Sequence, residues 1–163
     1  MNLANHIRSS LELPSFIVNS FLEDLNDDEL FVRPAVQMNH IAWQLGHLIV
    51  SENSHINLVT ARRMPLLPEG FAGQHSREAS AIDDPGCFRK KIEYLVLMAE
   101  QRSATLLLLS GLRDDDLLQP SPESIRYLGP TVGCVFSGIA THWMMHAGQW
   151  SVVRRKLGRP PLF

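Results

Sequence analysis

The chain has 163 residues, of which 45% are hydrophobic, so it has the size and composition of one globular domain with its own core. Its 15 basic residues against 17 acidic ones give a formal charge of −2, which excludes a basic field for a nucleic-acid backbone. We therefore expect a single domain over residues 1–163 that binds no nucleic acid.

Two helices and a loop are predicted in the first half of the chain. Apolar residues three to five apart predict the first helix over 3–25, where Pro14 either kinks the helix or marks its start. The second helix is predicted over 39–63, and its basic pair Arg62-Arg63 suits a helix C-terminus. In residues 64–83, prolines and glycines among polar residues predict a long surface loop.

Two further helices are predicted in the second half. The third covers residues 84–110, because Asp84 followed by Pro85 is typical of a helix N-terminus. The fourth follows Thr131, its N-cap, and runs to Leu157. No strand-like alternation competes, so the chain is predicted to be an all-α four-helix bundle with a long loop between helices two and three.

The cellular compartment is predicted from the cysteines and the N-terminus. Cys87 and Cys134 lie far apart without a CxxC pattern, which predicts neither a disulfide framework nor a thiolate metal site. The N-terminus lacks the basic and apolar regions of a signal peptide, and no uncharged run reaches the length of a membrane span. We expect a cytoplasmic protein without a membrane partner.

A histidine pair on the fourth helix is the clearest functional signal. His142 and His146 are four residues apart, so their β-carbons lie about 5–6 Å apart on one helix face, close enough to share a metal. In the HExxH motif of metalloproteases a glutamate follows the first histidine. Trp143 stands there in this chain, so we reject a zinc protease. The same face continues with residues that predict a buried stripe: Val135, Ile139, Gln149 and Val153.

The second helix offers candidates for a third ligand. His40 and His47 lie on nearly the same helix face, and their spacing does not choose between them. His40 stands at the start of the helix, where a histidine is more often exposed or capping, whereas His47 is in the middle. His55 is about 80° further round, so it is predicted at the surface. His6 and His75 are also predicted at the surface, although His75 could close over a site from the loop.

Three segments resemble the DinB/YfiT-like metalloenzyme superfamily in helix order: Asn39–Leu48, Thr141–Gln149 and Arg154–Phe163. The resemblance implies a four-helix bundle whose metal is held by one histidine of the second helix and two of the fourth. Carried over residue by residue, these ligands are His47, His142 and His146. The resemblance also implies a homodimer and a divalent metal that is nickel, zinc, iron or manganese in different members.

Several relatives in that superfamily are thiol-dependent S-transferases or isomerases. Three histidines leave coordination positions open, as in catalytic sites. Our leading hypothesis is that the metal binds a low-molecular-weight thiol as its thiolate and presents it to an electrophilic small-molecule substrate under the 64–83 loop. Metal-dependent hydrolysis, a non-catalytic or stress-related metal-binding dimer, and a metal-free interaction module are the alternatives.

Two residues beside the histidines are candidates for supporting roles. Gln149, one turn after His146, either contacts a ligand or an imidazole, or bonds a neighbouring helix. Trp43 is a candidate substrate contact, although a large aromatic residue is more often part of the core.

Overall fold

Four long helices form the scaffold in the computed structural model, which describes residues 2–61 and 63–163. They are α1 (Leu3–Leu22), α2 (Ile41–Val59), α4 (Lys91–Ser110) and α6 (Val132–Lys156), with the short helices α3 (Phe71–Gln74) and α5 (Asp114–Leu117) between them. Four 3₁₀ turns lie at Asp28–Phe31, Glu78–Ala81, Pro85–Cys87 and Glu123–Leu128. Because no strand occurs in the described ranges, the predicted all-α fold is confirmed.

Both predicted helix ends in the first half are revised. Helix α1 runs through the buried Pro14, which therefore does not mark its start, and it ends at Leu22 and not at residue 25. Helix α2 ends at Val59 and does not continue to residue 63, because Thr60 leaves the helical region with a φ of −128° and Ala61 then has a left-handed φ of 52°. Arg62, part of the predicted basic pair, lies outside the described residues.

The predicted start of the third helix was wrong. Asp84 caps only a 3₁₀ turn, where its carboxylate accepts the backbone N–H of Gly86 at 2.9 Å. Helix α4 begins at Lys91. At its start, the Glu93 carboxylate accepts the backbone N–H of Lys90 at 3.0 Å, and the Asp27 carboxylate accepts the backbone N–H of Lys91. These acceptors satisfy N–H groups that the first helical turn leaves unpaired.

Helix α6 begins where its sequence predicted. The Thr131 hydroxyl accepts the backbone N–H of Cys134 at 3.3 Å, and the helix then extends to Lys156. Helix α6 packs against α1 along its length and also against α2, which in turn packs against α4. Helices α2 and α6 are antiparallel, because Gln44 contacts Trp150 while Glu52 contacts Trp143.

A buried charged residue ties the helices together beside this α2–α6 contact. Glu52 accepts hydrogen bonds at one oxygen from the Arg102 guanidinium and the Trp143 indole, both at 2.9 Å. Its other oxygen accepts the Thr105 hydroxyl at 2.8 Å. Arg102 also donates to the Leu11 carbonyl of α1. The network therefore joins all four long helices.

None of the described helices is both long and apolar enough to cross a membrane.

Candidate metal centre

The three histidines singled out by the sequence lie together between α2 and α6. His47, His142 and His146 each offer one ring nitrogen, and these three nitrogens lie within 4.8 Å of one another. The ring centroid of His47 is 5.1 Å from that of His142 and 5.6 Å from that of His146. Such a group could hold a divalent metal ion.

The protonation of these imidazoles suits that role. Burial lowers the pKa of His142 to about 3, and repulsion from the two neighbouring imidazoles acts in the same direction. Burial also lowers the pKa of His146, to about 4, and that of His47. All three rings are therefore neutral at pH 7, which is the form of histidine that donates a lone pair to a metal.

Gln44 determines which nitrogen of His146 is available. Its side-chain oxygen is 2.7 Å from the indole nitrogen of Trp150, and an indole N–H can only donate, so the amide oxygen must face it. The same oxygen lies 3.0 Å from Nδ1 of His146 and accepts its proton. Nδ1 of His146 is consequently the protonated nitrogen, and Nε2 keeps its lone pair.

The two candidates for supporting roles lie next to the histidines. Gln149 accepts a hydrogen bond at 2.9 Å from the side-chain nitrogen of Gln44, so it bonds a neighbouring helix and reaches His146 only through Gln44. The ring of Trp43 stacks on that of His47, with centroids 4.8 Å apart and planes inclined by 8°. Trp43 also donates to the Ser76 carbonyl at 2.9 Å, which fixes the loop to the helix.

Two of the remaining histidines are near their predicted states. His40 is the N-cap of α2, where its Nδ1 accepts the backbone N–H of Trp43 at 3.1 Å, although the residue is fully buried. His6 is exposed. His55 was predicted at the surface, yet it is half-buried and its Nε2 lies 3.0 Å from the Tyr127 hydroxyl.

The prediction that His75 lies at the surface was wrong. It is 3% exposed, with Nδ1 2.8 Å from the Phe71 carbonyl and Nε2 2.7 Å from the Tyr94 hydroxyl. Its ring lies against Gly46 of α2, where a β-carbon would be 2.0 Å from the imidazole. His75 therefore holds the loop against the bundle with both of its nitrogens engaged.

Burial of His75 gives the stability of the metal-free protein a dependence on pH. Burial lowers the pKa of His75 from 6.5 to about 4, so the unfolded chain binds more protons between these values. The stabilisation is complete above pH 6.5 and is lost as the pH falls towards 4. Urea unfolding of chelator-treated protein should show a smaller loss over this window for His75→Gln than for the unsubstituted chain. The exposed control His6→Gln should keep the original dependence, and equal slopes for all three proteins would contradict the prediction.

Sequence reasoning did not identify Gln44 or Glu52 as parts of the site's surroundings. Each is a polar residue inside the otherwise apolar face of the second helix, and each is buried with its side-chain oxygens engaged. Their polarity in an apolar stretch was the available signal. Their partners on α6 are too distant in sequence to be identified from spacing.

The comparison with protein families identifies the chain's relatives. The family model described as the DinB superfamily matches residues 17–150, more than half of the chain, and this stretch contains all three clustered histidines. No curated protein matches the chain. By the extent of the family match, the chain belongs to the DinB superfamily.

Proposed function

We propose that this protein is a metal-dependent enzyme that transfers a low-molecular-weight thiol to a small electrophile, with His47, His142 and His146 as the metal ligands. The convergence of their three neutral imidazoles within 4.8 Å is the observation that carries the proposal. The donor set fits nickel, zinc or iron, because imidazole binds all three and availability selects among them, whereas manganese prefers oxygen ligands.

A bound divalent cation would supply charge that lowers the pKa of a thiol, so that the thiolate is present at neutral pH. The chain's own residues supply the setting. Gln44 accepts the Nδ1 proton of His146 and so leaves the Nε2 lone pair available, and the Trp43 indole covers one face of His47. In the reaction a sulfur–carbon bond forms, the bond from that carbon to the leaving group breaks, and the leaving group departs with the electron pair. The thiol proton passes to solvent.

The environment of the cluster argues against hydrolysis of the HExxH type, in which a carboxylate beside the metal activates water. Within residues 2–61 and 63–163, the group contains histidines and no carboxylate that could act as a general base. Trp143 occupies the position of the HExxH glutamate, and its indole N–H is bonded to Glu52. Glu52 is itself committed to Arg102 and Thr105.

Metal analysis of protein purified without a histidine tag tests the ligand set. We expect about one equivalent of divalent metal per chain in the unsubstituted protein and less than about a tenth of that in His142→Ala. His6→Ala removes an exposed histidine outside the cluster and should keep the full metal content. Equal metal content in all three proteins would overturn the assignment.

Turnover separates an enzyme from a metal-binding protein without catalysis. Metal-loaded protein is screened with several low-molecular-weight thiols against chlorodinitrobenzene, and chloride release is measured. We expect release that exceeds the background and falls at least about tenfold in His142→Ala. Full metal content with no thiol-dependent release for any pair would support a non-catalytic role.

The hydrogen bond from His146 to Gln44 predicts a further effect on metal affinity. Gln44→Ala removes the acceptor of the His146 proton, so we expect affinity to fall about 10- to 100-fold in competition with a coloured chelator. Gln149→Ala removes only the partner behind Gln44 and should change affinity less. An effect of Gln149→Ala as large as that of Gln44→Ala would contradict this order.

A further inference from the structure

A cavity of about 290 Å³ opens beside His142. Its lining is largely apolar with two hydroxyl groups, and consists of Tyr127, Leu128, Gly138, Thr141, His142 and Met145. No residue of the 64–83 loop takes part in the lining. The cavity is therefore separate from the loop under which the sequence hypothesis placed the electrophile.

Gly138 lets the 3₁₀ turn Glu123–Leu128 approach α6 one turn before His142. A β-carbon at this position would lie 3.1 Å from the end of the Leu128 side chain, closer than ordinary van der Waals contact. The absence of a side chain lets Leu128 lie against the helix, and the neighbouring Tyr127 lines the cavity.

The Tyr127 hydroxyl is a polar group of the cavity that a hydrogen bond holds in position. Its residue surface is 75% exposed, yet its hydroxyl lies 3.0 Å from Nε2 of His55. His55 stands on α2 about two turns after His47, and its ring is inclined by 74° to that of Tyr127. Nδ1 of His55 is buried without a hydrogen-bond partner, so we assign the ring proton to Nε2, which avoids an unsatisfied N–H. Nε2 then donates to the Tyr127 oxygen, and the Tyr127 O–H is available to a ligand.

We propose that this cavity binds the electrophilic substrate, that its occupant is a small molecule with an aromatic body and an oxygen acceptor, and that Tyr127 donates a hydrogen bond to that oxygen. The inference rests on the proposed function, since His142 is both a wall of the cavity and a member of the metal cluster. The volume admits one substituted aromatic ring, and Leu128 and Met145 supply apolar contacts for it.

Nuclear magnetic resonance of protein labelled with ¹³C at the methionine methyl groups tests the inference. Acetophenone and ethylbenzene serve as probes, because they have similar size and only acetophenone carries a carbonyl. Both should shift the Met145 methyl signal saturably, with acetophenone bound about tenfold more tightly. Tyr127→Phe should lower the affinity for acetophenone about tenfold and leave that for ethylbenzene unchanged.

Blocking the cavity provides the second arm. Thr141→Phe places a ring in the cavity and should abolish the shifts caused by both probes. Val152→Phe, on the exposed surface of the same helix, is the matched control and should leave them intact. An unmoved Met145 signal, or equal shifts in Thr141→Phe and the unsubstituted chain, would overturn the cavity as a binding site. Equal acetophenone affinity in Tyr127→Phe would overturn the role of Tyr127.

The probe titrations test the cavity independently of the proposed metal chemistry. The titrations are run on metal-loaded and on chelator-treated full-length protein, and the probes contain no thiol. If His142→Ala keeps its metal, the proposed ligand set is refuted. The probe titrations of the unsubstituted chain still test the cavity, because they do not depend on which residues bind the metal. In metal-loaded enzyme with a thiol and chlorodinitrobenzene, Thr141→Phe should raise KM for the aryl substrate and leave KM for the thiol unchanged.

Discussion

Glu52→Ala is expected to lower the free energy of unfolding by about 3–5 kcal/mol, the largest effect of any substitution considered for this protein. The Arg102 guanidinium is largely buried and loses the carboxylate that pairs with it, which leaves an uncompensated charge in the core. The Trp143 indole and the Thr105 hydroxyl lose their acceptor as well. Urea unfolding at pH 7, followed by circular dichroism, measures the change.

Two control variants give this result its meaning. Glu100→Ala removes an exposed carboxylate from α4 and should change the free energy of unfolding by no more than about 0.5 kcal/mol. Arg102→Met in the Glu52→Ala background removes the stranded charge and should recover part of the lost stability. A loss below about 1 kcal/mol in Glu52→Ala would show that water or another group satisfies Arg102.

Gly46→Ala is expected to destabilise the protein by about 3 kcal/mol, at the upper end for an overpacked site. The added β-carbon would lie 2.0–2.2 Å from three atoms of the His75 ring, so the imidazole has to move as a rigid body. Movement breaks its contacts with the Phe71 carbonyl and the Tyr94 hydroxyl. We expect lower resistance to urea and faster proteolysis within residues 64–83.

Gly148→Ala is the matched control, because its β-carbon would meet nothing within 4 Å on the exposed face of α6. That substitution should stabilise the helix by up to about 1 kcal/mol, since alanine loses less backbone entropy than glycine. Equal free energies of unfolding for Gly46→Ala and Gly148→Ala would contradict the prediction, because they would show that the His75 ring can move aside without destabilising the protein.

The helical periodicity was sufficient to predict the fold and the pairing of His142 with His146, because both depend on residues a few positions apart. The choice of His47 over His40 needed the family resemblance, since seven residues return to nearly the same helix face. In the structure His47 lies with His142 and His146, whereas His40 is the N-cap of α2.

The errors arose where a distant residue decides the local structure. His75 is buried because Gly46, far away along the chain, leaves room for its ring. The start of α4 moved from Asp84 to Lys91, where the carboxylate of Asp27 from the first connection accepts a backbone N–H. A capping motif in the sequence shows that a helix can begin there, and the competing acceptors decide whether it does.

The contact between Trp150 and Gln44 has a consequence for recognising functional members among related chains. Trp150 does not belong to the clustered histidines, yet its N–H, 106 positions after Gln44, helps to fix the amide and thereby the proton on His146. The Asn39 carbonyl and the Gln149 side-chain oxygen accept from the Gln44 nitrogen and favour the same orientation. A relative with phenylalanine in place of Trp150 would lose one of these three restraints, so its amide would hold the proton on Nδ1 of the histidine less firmly. Three histidines in a related chain are therefore an incomplete sign of a metal site. The Trp150 indole and the Gln44 amide also influence whether Nε2 of His146 can bind a metal.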